Sequence, residues 1–196
     1  MKLPESFYER TNVVKIAREL LGKSLFTRVS GVLTAGLIVE TEAYSWKERG
    51  CHAYAGKLTA RNKIMFDRGG HAYVYLCYGM HNLFNVVTNQ AGTADAVLIR
   101  ALEPMEGIKE MQLRRGELKN PFHLTSGPGK LTKAMGIDRT FNGKFLLNRD
   151  VWIEDVGEVV KSTSIEVSKR IGIDYAGKDA LLPWRFTIKG SKWISK

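Results

Sequence analysis

The runs SLFTRV (residues 24–29) and VLTAGLIVE (residues 32–40) are separated only by Ser30-Gly31. Two β-rich stretches joined by two turn residues favour an antiparallel hairpin. The pattern recurs downstream: HAYVYLC alternates aromatic and aliphatic side chains, YGMHN follows as a turn, and LFNVVTN resumes a strand. A second hairpin with a protruding tip is expected there. AVLIRALEP, ending at Pro104, and then VWIED, SIEVSKRIGI and WRFTIKG supply further strands.

Helical periodicity is confined to short stretches. Val13, Ile16, Ala17, Leu20 and Leu21 share one face of a helix from Asn12 to Leu21, with Thr11 or Asn12 as cap and Gly22 as stop. Ile108, Met111 and Gln112 carry a second helix through Arg115 to Gly116. A third, LTKAM, lies between Pro128 and Gly136, with proline near the first turn and glycine past the end. Residues 45–70 show little apolar periodicity but hold Lys57, Arg61, Lys63 and Arg68, so a long surface loop with short helical pieces is expected, of the kind that often carries function. Neither a repeat nor a Pro/Gly/Ser linker divides the chain. The expected fold class is mixed α/β (α+β): one compact domain over residues 1–196, with a curved, mainly antiparallel sheet, flanking helices and the protruding hairpin.

The composition, 44% hydrophobic and 26% charged, is that of an ordinary globular protein, with no apolar run near the roughly 18 residues a membrane span needs. Glu5, Glu9 and Arg10 interrupt the place where a secretory signal would be apolar, so a soluble, non-exported protein with no membrane partner is expected. Cys51 and Cys77 lack CxxC spacing and read as reduced thiols. Thirty Lys and Arg against twenty Asp and Glu leave a net charge of +10. That excess suits a polyanion, nucleic acid first among them, although charge of this kind also serves solubility alone. Residues 161–196 hold eight basic and three acidic residues, a tail that could follow phosphates.

Three groups of residues could carry chemistry. IVETEAY delivers Glu40 and Glu42 to a strand end followed by Tyr44, and period-2 geometry points all three the same way. Charged groups at a strand end are ordinarily solvent-facing, but the aromatic setting argues for an acid/base role. Arg100 interrupts AVLIRALEP, where a buried charge needs a partner, and Glu42 is a reasonable one. Tyr73, Tyr75 and Tyr78, with His71 and His81 around them, either pack on the sheet or stack on a ligand. The tip Tyr78-Gly79-Met80-His81 resembles a wedge pushed between base pairs. Cys51 and His52 are adjacent, so on an extended chain they diverge, and a metal site is not expected.

IVETEAY through RNKIMF, YVYLCYGMHNLFNVV, LIRALEP, TSGPGKLTKAMGI and RIGIDYAG together resemble the alkyladenine (3-methyladenine) DNA glycosylases, over about residues 10 to 195. The resemblance implies a hairpin that intercalates into DNA and an enzyme that needs neither metal nor organic cofactor. By position it implies that Glu42 is the catalytic carboxylate and that Arg100 lies close to the catalytic water. Tyr44, His52 and Tyr75 would wall the base pocket, Asn85 would guard it against guanine, and the Ile171 backbone would help hold the water. DNA contacts would come from Tyr78, Met80, His81, Thr59, Arg61 and Lys130, with His81 standing where some relatives have another aromatic.

The implied partner is double-stranded DNA containing damaged purines (3-methyladenine, 7-methylguanine, hypoxanthine or ethenoadenine), acted on by a monomer. The expected location is the cytoplasm and nucleoid of a bacterium or the nucleus of a eukaryote. Hydrolysis would proceed through oxocarbenium character at the sugar, with Glu42 stabilising that charge and deprotonating water. The proton donor to a neutral leaving base stays open between solvent water and His52. Two rival classes remain. A DNA-binding damage sensor would gain nothing from a carboxylate in a polyanion site, and a small-molecule nucleoside hydrolase would have no use for the basic surface and exposed tip.

Overall fold

The computed structural model describes residues 1–195. Its strands are β1 (Ser24–Val29), β2 (Val32–Tyr44), β3 (Ala72–Cys77), β4 (His81–Thr88), β5 (Asp95–Glu106), β6 (Val151–Glu154), β7 (Ile165–Ser168) and β8 (Arg185–Ile188). They form one eight-stranded sheet of order β3-β4-β5-β2-β1-β6, with β8 joining β2 to β7. Every pairing among them is antiparallel. The helices are α1 (Glu5–Tyr8), α2 (Val13–Glu19), α3 (Ile108–Arg115) and α4 (Pro128–Met135). The α+β reading is borne out.

Local chemistry accounts for the elements that frame the site. Ser30 and Gly31 both adopt positive φ, 50° and 83°, as a two-residue hairpin turn of the primed type requires. Asn12 caps α2 by accepting from the Lys15 amide at 2.9 Å, a contact worth about 1 kcal/mol. Pro128 opens α4, and Gly136, at φ 68°, closes it.

β2 is longer than β1, so beyond Leu37 its free edge is taken by β8, which pairs Thr187 with Glu40 and Arg185 with Glu42. On the other edge the β2–β5 register slips three times, two of the slips falling beside Glu40. Ile38 pairs with Leu102 and Glu40 with Ala101, leaving Val39 extra on β2; Thr41 then pairs with Ile99, leaving Arg100 extra on β5. Each bulge reverses the alternation of its strand. Ile38, Ile99 and Leu102 therefore all join the main core with Val74, Phe84 and Val86, beneath α2 and α4, while Glu40, Glu42 and Arg100 emerge on the opposite face.

Three expectations need correction. β5 continues past Pro104, which pairs with Gly36 beside a further register shift, where a missing amide donor is tolerated. The strand expected in SIEVSKRIGI ends at Ser168, because Arg170 turns into the protein. Residues 45–70 contain the expected short 3-10 turns but are more than a surface loop. They bury Glu48, Cys51, Ala53, Asn62 and Met65 and cover the Tyr73 side of the sheet.

Candidate active site

The bulged strands bring three charged side chains together below the sheet surface. Glu40 and Glu42 are both 0% exposed, against the ordinary habit of charges at a strand end. Arg100 lies between them, its Nε donating to Glu40 Oε1 at 2.8 Å and its Nη1 to Glu42 Oε2 at 3.2 Å. Burial works to lower the Arg100 pKa, but the facing Glu42 and Glu40 carboxylates outweigh it and hold the value above the arginine norm. The pairing of Arg100 with Glu42 expected from the sequence is present, and Glu40 shares it.

Glu42 has two further donors. The Tyr44 hydroxyl donates to Oε2 at 2.8 Å, and the Ile171 amide donates to Oε1 at 2.8 Å. Burial first, then the neighbouring Glu42, push the Tyr44 phenol well above the usual tyrosine range, so it remains a donor. A carboxylate offers about four lone-pair directions. Three donors of this chain engage Glu42, two on Oε2 and one on Oε1.

The Ile171 amide is held in place by its neighbour. Arg170 forms a two-pronged ion pair with Glu48, Nη1 to Oε1 at 2.6 Å and Nη2 to Oε2 at 2.8 Å. It also donates to the Ala43 and Asp179 carbonyls, each at 2.9 Å. Its guanidinium lies 4.7 Å from the Tyr44 ring centroid and 5.3 Å from that of Trp184. Arg170 and Glu48 escaped the sequence reading because they lie 122 positions apart. Arg185 escaped it too, although its Nε donates to Glu40 at 2.7 Å. The basic tail is thus corrected in part: Arg170 and Arg185 face the interior and pair with carboxylates there.

Above this polar floor opens a cavity of about 660 Å³. Tyr44, His52, Tyr75, Asn85, Arg100 and Ile171 all line it, as do Arg61, Tyr78, His81 and Lys130 nearer its mouth. The His52 and Tyr75 rings meet edge to face at 4.6 Å, and Tyr73 bonds His52 Nδ1 through its hydroxyl at 2.9 Å. Burial, with the Arg61 charge adding to it, lowers the His52 pKa to about 4. The ring is neutral at pH 7, which removes it as an imidazolium acid. Cys51 points away, its thiol directed at the Ala94 carbonyl, and burial pushes its pKa up to about 12. A thiol of that kind is inert.

Asn85 is buried, and its Nδ2 donates to the Tyr73 carbonyl at 3.1 Å, so the amide is anchored to the sheet while it faces the cavity. Thr59 lies in the covering loop, where its amide and hydroxyl both donate to Asn62 Oδ1, at 2.7 and 3.0 Å. Asn62 in turn donates to the His52 carbonyl at 2.9 Å. Thr59 therefore folds the loop that carries His52.

At the tip joining β3 and β4, Tyr78 and Gly79 take φ of 50° and 72°, and the Met80 amide donates to the Cys77 carbonyl at 3.2 Å. Tyr78 is 86% exposed and Met80 71%. The hairpin is braced from below, because Thr132 of α4 donates to the Asn82 carbonyl at 2.7 Å. His81 lies so close to Gly129 that a Cβ there would come within 2.9 Å of its ring.

A family profile for methylpurine-DNA glycosylase (MPG) matches residues 6–192. A relative from Carboxydothermus hydrogenoformans is 49% identical over 196 residues, covering all of both chains. One from Methanocella arvoryzae is 47% identical over 99% of this chain and 96% of its own, and one from Bacillus cereus is 43% identical with both chains covered in full. All three are named as candidate 3-methyladenine DNA glycosylases.

Proposed function

Since this chain belongs to the methylpurine-DNA glycosylase family and is a DNA glycosylase, a repair hydrolase of N-glycosyl bonds, we propose that it removes damaged purines with a water activated by Glu42. The substrates are alkylated or deaminated purines, namely 3-methyladenine, 7-methylguanine, hypoxanthine and ethenoadenine, flipped from duplex DNA by a monomer. The enzyme is monofunctional, and the product is an abasic site.

The observation that carries this reading is a fully buried carboxylate, Glu42, whose three donors Tyr44, Arg100 and Ile171 all line one aromatic-walled cavity. A water on Glu42 Oε1 stands where its proton can pass to the carboxylate while its oxygen attacks the sugar carbon. The charge that develops on the sugar is stabilised by the same carboxylate. A cationic base such as 3-methyladenine stacks favourably on Tyr75 and Tyr44 and leaves without further protonation. A neutral base takes its proton from solvent, since His52 is uncharged at pH 7. Tyr78 fills the gap that the flipped nucleotide leaves in the stack, with Met80 and His81 beside it and Arg61 and Lys130 on the phosphates.

The test is incubation with duplexes carrying each lesion, followed by alkaline cleavage at abasic sites. Strand breaks at the lesion are expected; intact strands on every lesion would overturn the proposal. Tyr78→Ala is expected to weaken lesion-duplex binding about tenfold or more, because unstacking costs a few kcal/mol that nothing then offsets. Unchanged affinity would move the wedge elsewhere.

A further inference from the structure

Ser195 enters the polar floor from the far end of the chain. Its amide donates to Glu40 Oε2 at 2.6 Å and its hydroxyl to Glu40 Oε1 at 2.7 Å. The same hydroxyl oxygen accepts from Arg100 Nη2 at 3.1 Å. Arg185, already on Glu40, donates to the Ser195 carbonyl at 3.3 Å. Ser195 is 6% exposed and forms part of the cavity wall.

A guanidinium is planar, so the direction of one N–H fixes the others. Arg100 is held by Glu40 at Nε and by Ser195 at Nη2, and these two contacts set the direction of Nη1. Nη1 makes the longest of the three bonds, the 3.2 Å contact to Glu42, and is the one most easily lost if the plane tilts. The Ser195 hydroxyl donates to Glu40 and accepts from Arg100 through one oxygen, which an alanine cannot do.

We propose that Ser195 is a positioning residue for the glycosylase reaction: its hydroxyl fixes the Arg100 plane so that Nη1 stays on Glu42. The inference rests on the reading of Glu42 as the catalytic carboxylate. Removing the hydroxyl leaves Glu40 its amide and arginine partners, so the fold survives while the aim of Arg100 loosens.

The experiment compares the full-length wild type, Ser195→Ala and Ser195→Thr by single-turnover base release from a hypoxanthine duplex, lesion-duplex affinity and Tm. Ser195→Ala is expected to slow base release per folded molecule about tenfold, the scale of one lost hydrogen bond to a charged group, with lesion-duplex affinity unchanged and Tm lower by a few degrees. Ser195→Thr, which keeps the hydroxyl, is expected to recover most of the rate. A wild-type rate in Ser195→Ala, a threonine variant as slow as the alanine one, or a rate loss that disappears once activity is counted per folded molecule well below Tm would each overturn the positioning role. A wild type that releases no base from any lesion duplex would instead remove the Glu42 reading, and this inference with it.

Discussion

The two faces of the sheet are made by the same strands and differ in what they bury. On one, Val74, Phe84, Val86, Val97 and Ile99 pack against Ile16, Leu20, Leu131 and Met135, an apolar interior of the kind that gives most of a domain its stability. On the other, cross-strand neighbours Tyr73, Asn85, Leu98 and Glu42 form one row, and the buried groups include two glutamates and an arginine. Burying charges costs desolvation that pairing only partly returns. The polar face is therefore less stable than an apolar one of the same shape would be. A sheet built only for stability would have no reason to place Glu40, Glu42 and Arg100 there, and the difference supports the proposal that one face serves stability and the other the reaction.

The sharpest test of that division is Glu42→Gln. The amide keeps the shape but cannot take a proton from water, so base release should fall roughly 10³- to 10⁴-fold, about 4 to 5 kcal/mol of barrier. Lesion-duplex affinity should persist. Full activity in the variant would leave the polar face without its chemical role. The mirror experiment is Phe84→Ala on the core face, where loss of a fully buried ring should cost about 3 to 5 kcal/mol of stability. Base release per folded molecule should be unchanged, as measured by urea unfolding and by activity at low temperature. A proportionate loss of catalysis would mean the faces are not separable.

A third experiment uses pH. The His52 pKa falls from 6.5 in the unfolded chain to about 4 in the fold, so between those values the unfolded state binds a proton that the native state does not. Stability then rises with pH and is lost as pH drops from 6.5. From pH 6.5 to 5, above most carboxylate titrations, this amounts to about 2 kcal/mol at most. Unfolding free energies over that window should show the slope in the wild type and a flatter line in His52→Gln. Identical slopes would place the titration elsewhere.

The core face was legible in the sequence because alternation and turn residues act locally. Ser30-Gly31 fixed one hairpin, and the apolar phase of YVYLC and LFNVV predicted the other. Arg100 was legible as well, since a charge inside an apolar run has to find a partner. The two bulges were not: no local pattern in GLIVETE or LIRALE announces an extra residue, yet the slip decides that Ile38 faces the core and Glu40 does not. Glu48, Arg170, Arg185 and Ser195 were missed for a different reason. Their contacts span 122 to 155 positions, and each looks on its own like a polar side chain that faces solvent. Tertiary closure, which sequence pattern does not report, brings them together.

Asn85 sits on the polar face and has two readings that differ in size as well as kind. Its Nδ2 bond to the Tyr73 carbonyl is that of a residue that ties β4 to β3. Its position on the cavity wall is that of a guard against the exocyclic amino group by which guanine differs from hypoxanthine. Stacking on Tyr44, His52 and Tyr75 cannot separate those two bases, so discrimination needs a group that leaves the extra amine crowded or unpaired. One such clash is worth about 1 to 3 kcal/mol, roughly an order of magnitude or more in relative rate. The strand contact, a single neutral hydrogen bond, contributes about 1 kcal/mol to stability. Asn85→Ser shortens the side chain and gives up the reach to both partners. If the guard reading holds, release of guanine or 7-methylguanine should rise about tenfold relative to hypoxanthine, with Tm lower by no more than a few degrees. If all bases slow alike and Tm falls further, Asn85 belongs with the structural residues, and selection against guanine has to be sought elsewhere on the cavity wall.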